Sequence, residues 1–219
     1  MEGLTKKTIV FTVIAVVLYL ILFFFLDKPI DLWVDYNYSK TWHHDIGVII
    51  SYFAYDPFIR VGLTLSFILI FITDPFIKKR WTKTLLYICI SVSIAIVIGD
   101  GFKYLFARYR PVMLFDSNLY GLHFFSTDWA LNSTPSGHTL RAFSLLTALT
   151  LLYRKYAVLF ISLAVLIGLC RVVVTAHYPS DVLFGASIGI VSAVWTYKYI
   201  ILKTSDSKKE IHEQTIQRG

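Results

Sequence analysis

Residues 8–26 read TIVFTVIAVVLYLILFFFL, without a single charge, preceded by Lys6 and Lys7 and followed directly by Asp27, Lys28 and Pro29. At ~1.5 Å rise per residue this run is long enough to cross a hydrocarbon core of ~30 Å. No small-x-small cleavage site closes it, so it reads as an uncleaved first helix rather than a signal peptide. Apolar stretches recur along the rest of the chain, at about 57–73, 84–101, 139–153, 156–170 and 181–201. The 219 residues are 56% hydrophobic and 16% charged, against roughly 25% charge in a soluble domain. That excludes a disordered chain and leaves no room for a separate water-soluble module. The fold expected is all-α: an integral membrane bundle of six transmembrane helices over residues 1–203, with a polar, disordered tail at 204–219. Residues 42–55, apolar but short and opened by His43, His44 and Asp45, suit an interfacial helix.

Orientation follows from the Lys and Arg near the span ends. Six spans place Lys6, Lys7, Lys78, Lys79, Arg80, Lys83, Arg154, Lys155, Lys203, Lys208 and Lys209 on one side. By the positive-inside bias that side, with both termini, is cytoplasmic. The net charge of +7 is thereby explained by membrane anchoring and an anion site, without nucleic acid as a partner. The two cysteines, Cys89 and Cys170, lie in apolar runs with neither metal-ligand nor disulfide spacing.

A second set of charges collects at the opposite, outer ends of the spans. Lys103 closes the third, Arg141 stands near the start of the fourth, Arg171 closes the fifth and Asp181 opens the sixth. Arg108, Arg110, His138 and His177 fall on the same side. Ionisable groups at membrane depth cost ~2.5–3.5 kcal/mol each even on a lenient scale, so their convergence marks a functional site. A pocket with several cations and few carboxylates suits an anion, and at a lipid surface that means phosphate. Lys103 and Arg110 are seven apart and point to one place if the helix continues through both. Gly137 lets backbone come close to a ligand, and the free N–H groups of a helix start favour negative charge. His177 and Asp181, four apart, bring a carboxylate within reach of one imidazole N–H and leave the other ring nitrogen as a nucleophile.

These residues resemble the three-part signature of the type 2 phosphatidic acid phosphatase (PAP2) family: Lys103 to Arg110-Pro111 with six residues between the two cations, Pro135-Ser136-Gly137-His138, and Arg171 to His177 to Asp181 at spacings of six and four. The resemblance covers about 80 of the 219 residues. It implies a six-helix bundle that dephosphorylates a membrane lipid phosphate or diphosphate without metal or cofactor. His177 would form a phosphohistidine, Asp181 would fix its tautomer, and His138 would serve as general acid and base. Lys103, Arg110, Ser136, Gly137 and Arg171 would hold the phosphoryl oxygens. Arg141, Arg108 and Tyr104 are further candidates, for a second phosphate or a head group, or as ordinary interfacial residues. One departure is Cys170, where the family often has Ser. The implied partners are lipid phosphates and membrane lipids. The implied setting is a bacterial inner membrane with the site facing the periplasm or cell exterior. A phosphotransferase, a transporter and a non-catalytic binder are the alternatives to a hydrolase, and the sequence leaves the oligomeric state open.

Overall fold

A computed structural model describes residues 2–202 of the chain; the expected tail and its lysines lie outside the described residues. Helix α1 (Glu2–Ile21) runs through a π-helical turn, Leu22–Leu26, into α2 (Asp27–Tyr38). Then come α3 (Trp42–Ser51), α4 (Asp56–Thr73), α5 (Arg80–Phe106), the short α6 (Pro111–Ser117), α7 (Gly137–Leu152), α8 (Ala157–Val173) and α9 (Pro179–Thr196). Among the described residues the only β-type pairing is an isolated bridge between Arg108 and Leu122.

The outside of the bundle is what lipid requires and water would punish. Val13, Val61, Phe71, Ile72 and Val158 are exposed, Val158 at 80%, and contiguous apolar faces of this kind are rare on soluble monomers. Among the described residues five helical stretches are long and apolar enough to span a membrane: Glu2–Tyr38, Trp42–Thr73, Arg80–Phe106, Arg154–Val173 and Pro179–Leu202. The chain is an integral membrane protein. The expected span at 139–153 corresponds to α7, whose 16 residues reach about 24 Å, short of the full hydrocarbon thickness. Its flanks are covered by α5, α8 and α9, and it buries small or polar residues such as Thr139, Ala142, Ser144 and Ala148. Small residues let helix backbones approach where no hydrophobic force drives them together.

Helix α3 belongs to the bundle rather than lying apart from it. A Cβ on Gly47 would stand 2.8 Å from Val174 Cγ1 and 3.6 Å from the Cys170 carbonyl, so glycine here lets α3 lie directly on the end of α8. The helices order the molecule into two poles. The C-terminal ends of α5 and α8 and the N-terminal ends of α7 and α9 form one pole. At the other, Lys78, Lys79, Arg80 and Lys83 share a depression with Leu152, the end of α7.

Candidate active site

Helix α5 does not continue to Arg110, contrary to the two-turn expectation. Ala107 takes a left-handed conformation, φ +41°, and its N–H caps the Lys103 carbonyl. Pro111 then opens α6. Lys103 therefore enters the site from a helix and Arg110 from a loop. That loop is tightly built: His123 N donates to Ala107 O, Ser133 N to Arg108 O, and Arg110 N to Ala130 O. Arg110 Nε donates to Trp129 O at 3.0 Å, Nη2 to Asn132 O at 3.4 Å, and the guanidinium lies 4.4 Å from the Trp129 ring centroid. Trp129 and Asn132 of this loop thus hold the Arg110 side chain in place. Burial pulls Arg110 down to about 10, which leaves it protonated at neutral pH.

Ser136 is the N-cap of α7, and Gly137 and His138 are its first two residues. Their N–H groups are among the helix-start donors that have no intrahelical partner. A Cβ on Gly137 would stand 3.1 Å from Arg141 Nη1 and 3.2 Å from Lys103 Nζ, so two cations reach this glycine. Ser136 Oγ accepts from Thr139 Oγ1 at 3.0 Å, and its N–H straps α7 to α9 by donating to Asp181 O. Arg171, in the last turn of α8, carries a buried Nε with no hydrogen-bond partner among the described residues. Its carbonyl receives the N–H groups of Ala176 and His177, which ties the histidine loop to the cation. His138 and Arg171 line one wall of a cleft of about 300 Å³, with His44, Tyr52 and Tyr55 from the α3 side.

His177 is buried, and its Nδ1 lies 2.7 Å from the Ser133 carbonyl. A carbonyl only accepts, so Nδ1 carries the proton and Nε2 keeps its lone pair. Asp181 does not take that proton as the four-residue spacing predicted; its Oδ2 is 3.9 Å from Nδ1. Its oxygens are engaged elsewhere: Oδ1 by Arg108 Nη1 at 2.5 Å, Oδ2 by Ser133 Oγ at 2.5 Å and by Tyr178 N at 3.1 Å. Burial, and then the charges of Arg110, Arg171, Lys103 and His138, push the His177 pKa well below its usual value. The ring is neutral and its free nitrogen stands among cations.

Lys103, Arg110, Ser136, Gly137, His138, Arg171, His177 and Asp181 are therefore brought together. Arg141 lies at the same place, but its Nε donates to Ala54 O and its Nη1 to Asp56, both at 2.8 Å. Arg108 is no head-group contact: it is fully buried behind the site, bonded to Asp27, Ser180, Asp181 and Tyr120. Tyr104 points away, half exposed beside the Phe125 ring. Cys170 is buried and free. Among the described residues no three His, Cys, Asp or Glu side chains gather as a metal set. Asp27, Asn132 and Ser133 were not foreseen from the sequence. Asp27 alone had a usable signal, as a charge at the end of the first apolar run.

Known proteins resemble stretches of the chain. A stretch of the chain is 35% identical over 103 residues to the lipid A 1-phosphatase of Rhizobium johnstonii, covering 47% of this chain and 42% of that protein. Another is 39% identical over 114 residues to the undecaprenyl-diphosphatase of Sulfolobus acidocaldarius, covering 52% and 53%. The chain thus matches about half the length of these relatives or less. In fold it is similar to the crystal structure of a transmembrane PAP2-type phosphatidylglycerolphosphate phosphatase from Bacillus subtilis, with a TM-score of 0.62 at 16% identity over 88% of this chain and 95% of that one. The family model described as the PAP2 superfamily matches residues 83–204. That match covers more than half of the sequence, including every part of the signature, and the chain belongs to the PAP2 superfamily.

Proposed function

We propose that the chain is a lipid phosphate phosphatase that dephosphorylates an envelope lipid phosphate or diphosphate, one phosphoryl group at a time, through a phosphohistidine on His177. The observation that carries this reading is the neutral, tautomerically fixed His177 beside Arg171, whose buried Nε has no partner among the described residues. A phosphoryl oxygen is the acceptor such a donor lacks.

In the first step the Nε2 lone pair attacks phosphorus and a P–N bond forms as the P–O bond to the lipid breaks. Lys103, Arg110, Arg171 and the first N–H groups of α7 carry the charge on the equatorial oxygens, which is the main electrostatic contribution. His138, in its protonated form once the phosphate offsets the surrounding cations, gives its proton to the leaving oxygen. In the second step His138 accepts a proton from water as that water attacks phosphorus. The P–N bond then breaks, inorganic phosphate leaves, and His177 is regenerated.

The cleft beyond His138 and Arg171 gives room for the group that bears the phosphate. In this reading α7 is the fourth and central of six spans, both termini are cytoplasmic, and the site faces the periplasm or cell exterior. The pole opposite the site carries Lys78, Lys79, Arg80 and Lys83, in keeping with that orientation. The names of the relatives point to lipid A 1-phosphate and undecaprenyl diphosphate as the first substrates to try. The test is release of inorganic phosphate by the purified chain in detergent from a panel of pure lipid phosphates, with and without an acceptor lipid. Release in the absence of acceptor supports a hydrolase; transfer without release supports a phosphotransferase, and neither reaction on any lipid refutes the reading.

A further inference from the structure

The segment before the family match supplies a residue to the back of the site. Asp27, the first residue of α2, is fully buried. Its carboxylate accepts from Arg108 Nη2 at 2.7 Å and from the Ser180 N–H at 3.0 Å, and it also receives the Ser180 hydroxyl. Arg108 is packed among aromatic rings, 4.2 Å from the Tyr178 centroid and 4.6 Å from that of Phe23. Its other nitrogen, Nη1, meets Asp181. The chain of bonds then passes through Ser133, whose hydroxyl donates to Asp181 and whose carbonyl holds the His177 ring. It runs unbroken from Asp27 through Arg108, Asp181 and Ser133 to His177.

Two consequences follow. With Asp27 in place, Arg108 has one seat, so Asp181 has one rotamer and Ser133 one orientation. In a dry interior a carboxylate also acts over several ångströms, so Asp27 favours the cationic imidazole that forms when His177 bonds to phosphorus. We propose that Asp27 is a positioning residue for His177: it fixes the Nδ1–H tautomer through Arg108, Asp181 and Ser133, and it supports the charge that develops on the ring. The proposal rests on His177 as the nucleophile. The charged and titratable groups that face His177 are Lys103 on α5, Arg110 on the loop, His138 on α7 and Arg171 on α8, with Asp181 on α9 at 3.9 Å; Asp31, one turn beyond Asp27, is buried on α2.

The test compares the full chain with Asp27→Asn and Asp27→Glu in detergent. In a Ser-His-Asp triad, loss of the carboxylate that directly holds the His costs ~10⁴ in kcat; several bonds further back, a fall of about tenfold or more is expected for Asp27→Asn, with KM within about twofold. Removing a negative charge makes the imidazolium harder to form, so the acid limb of kcat/KM should move to lower pH, and Asp27→Glu should recover part of kcat. ¹⁵N NMR of histidine-labelled protein, which needs no turnover, should show one Nδ1–H tautomer of His177 in the parent and a mixture in Asp27→Asn. A folded Asp27→Asn with unchanged kcat, pH limb and tautomer would overturn the proposal, as would a loss of kcat with neither a pH shift nor a tautomer change. If Asp27→Asn does not fold, Ser180→Ala, which removes the hydroxyl shared by Asp27 and Arg108, should lower kcat about threefold with KM unchanged, and a wild-type kcat would count against the proposal. A parent chain that releases phosphate from no lipid refutes the phosphatase reading, and the tautomer comparison then still decides the role of Asp27.

Discussion

Gly185→Ala should disable the site without replacing any residue in it. A Cβ on Gly185 would stand 2.7 Å from the Ser136 carbonyl oxygen and 3.3 Å from Leu140 N. Both atoms are backbone and cannot swing aside. The first contact is about 0.7 Å inside the 3.4 Å at which ordinary contact begins, so the start of α7 must move away from α9 by about that much. Ser136 is the α7 N-cap and is strapped to Asp181 by its N–H, so the shift carries Gly137 and His138 away from His177. A misplacement of ~1 Å costs ~10²-fold in rate, which gives an expected fall in kcat of about 10- to 100-fold. Overpacking adds about 1–3 kcal/mol of destabilisation. Gly189→Ala is the control. Its Cβ would meet Ser144 N at 2.7 Å and Leu140 O at 2.8 Å, equally tight but a turn or more deeper in the bundle. It should destabilise by a similar amount and lower kcat by about threefold or less. Thermal unfolding in detergent and phosphate release measure the two effects separately. Equal loss of kcat in both variants, or wild-type behaviour of Gly185→Ala, would refute the reasoning.

Three further outcomes are expected. Arg108→Ala leaves Asp27 and Asp181 buried without their cation, which should cost about 3–5 kcal/mol of stability; an unfolding transition unchanged from the parent would contradict the buried network. The lowered pKa of His177 means that the unfolded chain takes up this proton near pH ~6.5 while the folded chain does not. Its contribution to stability is therefore full above that pH and is lost as pH falls toward the folded pKa, and the acid limb of kcat/KM should lie below ~6.5. An acid limb above 7 would contradict it. Orthovanadate, which mimics the five-coordinate phosphorus, should inhibit, and EDTA should not; inactivation by EDTA reversed by a divalent ion would point to a different mechanism.

The positions that converge on the site were legible because a membrane makes charge conspicuous. Lys103, Arg110, His138, Arg171, His177 and Asp181 stand out at one end of apolar runs, and their spacing echoes a known family. The manner of convergence was not legible. Local spacing suggested that α5 carries Arg110 to the site, but a left-handed Ala107 ends the helix first, and the loop does the carrying. Spacing of four suggested a direct His177–Asp181 bond, yet the preference of Asp181 is decided by Arg108 and Ser133, 73 and 48 residues away. Arg108 itself, read as a candidate for a head group, is claimed by Asp27, 81 residues upstream. Such choices depend on which distant element happens to bury beside which, and no periodicity encodes that. The apolar pattern likewise foresaw membrane helices but not the central place of α7, whose small buried residues become informative only once the neighbours that need the space are known.

The central claim is that phosphorus passes through His177. Rapid mixing with a ³²P-labelled lipid phosphate, quenching in alkali and peptide mapping tests it directly. The account predicts an acid-labile, alkali-stable label on the peptide containing His177, formed before phosphate appears and absent in His177→Ala. Label on another residue, or phosphate release from His177→Ala at the parent rate, would contradict it.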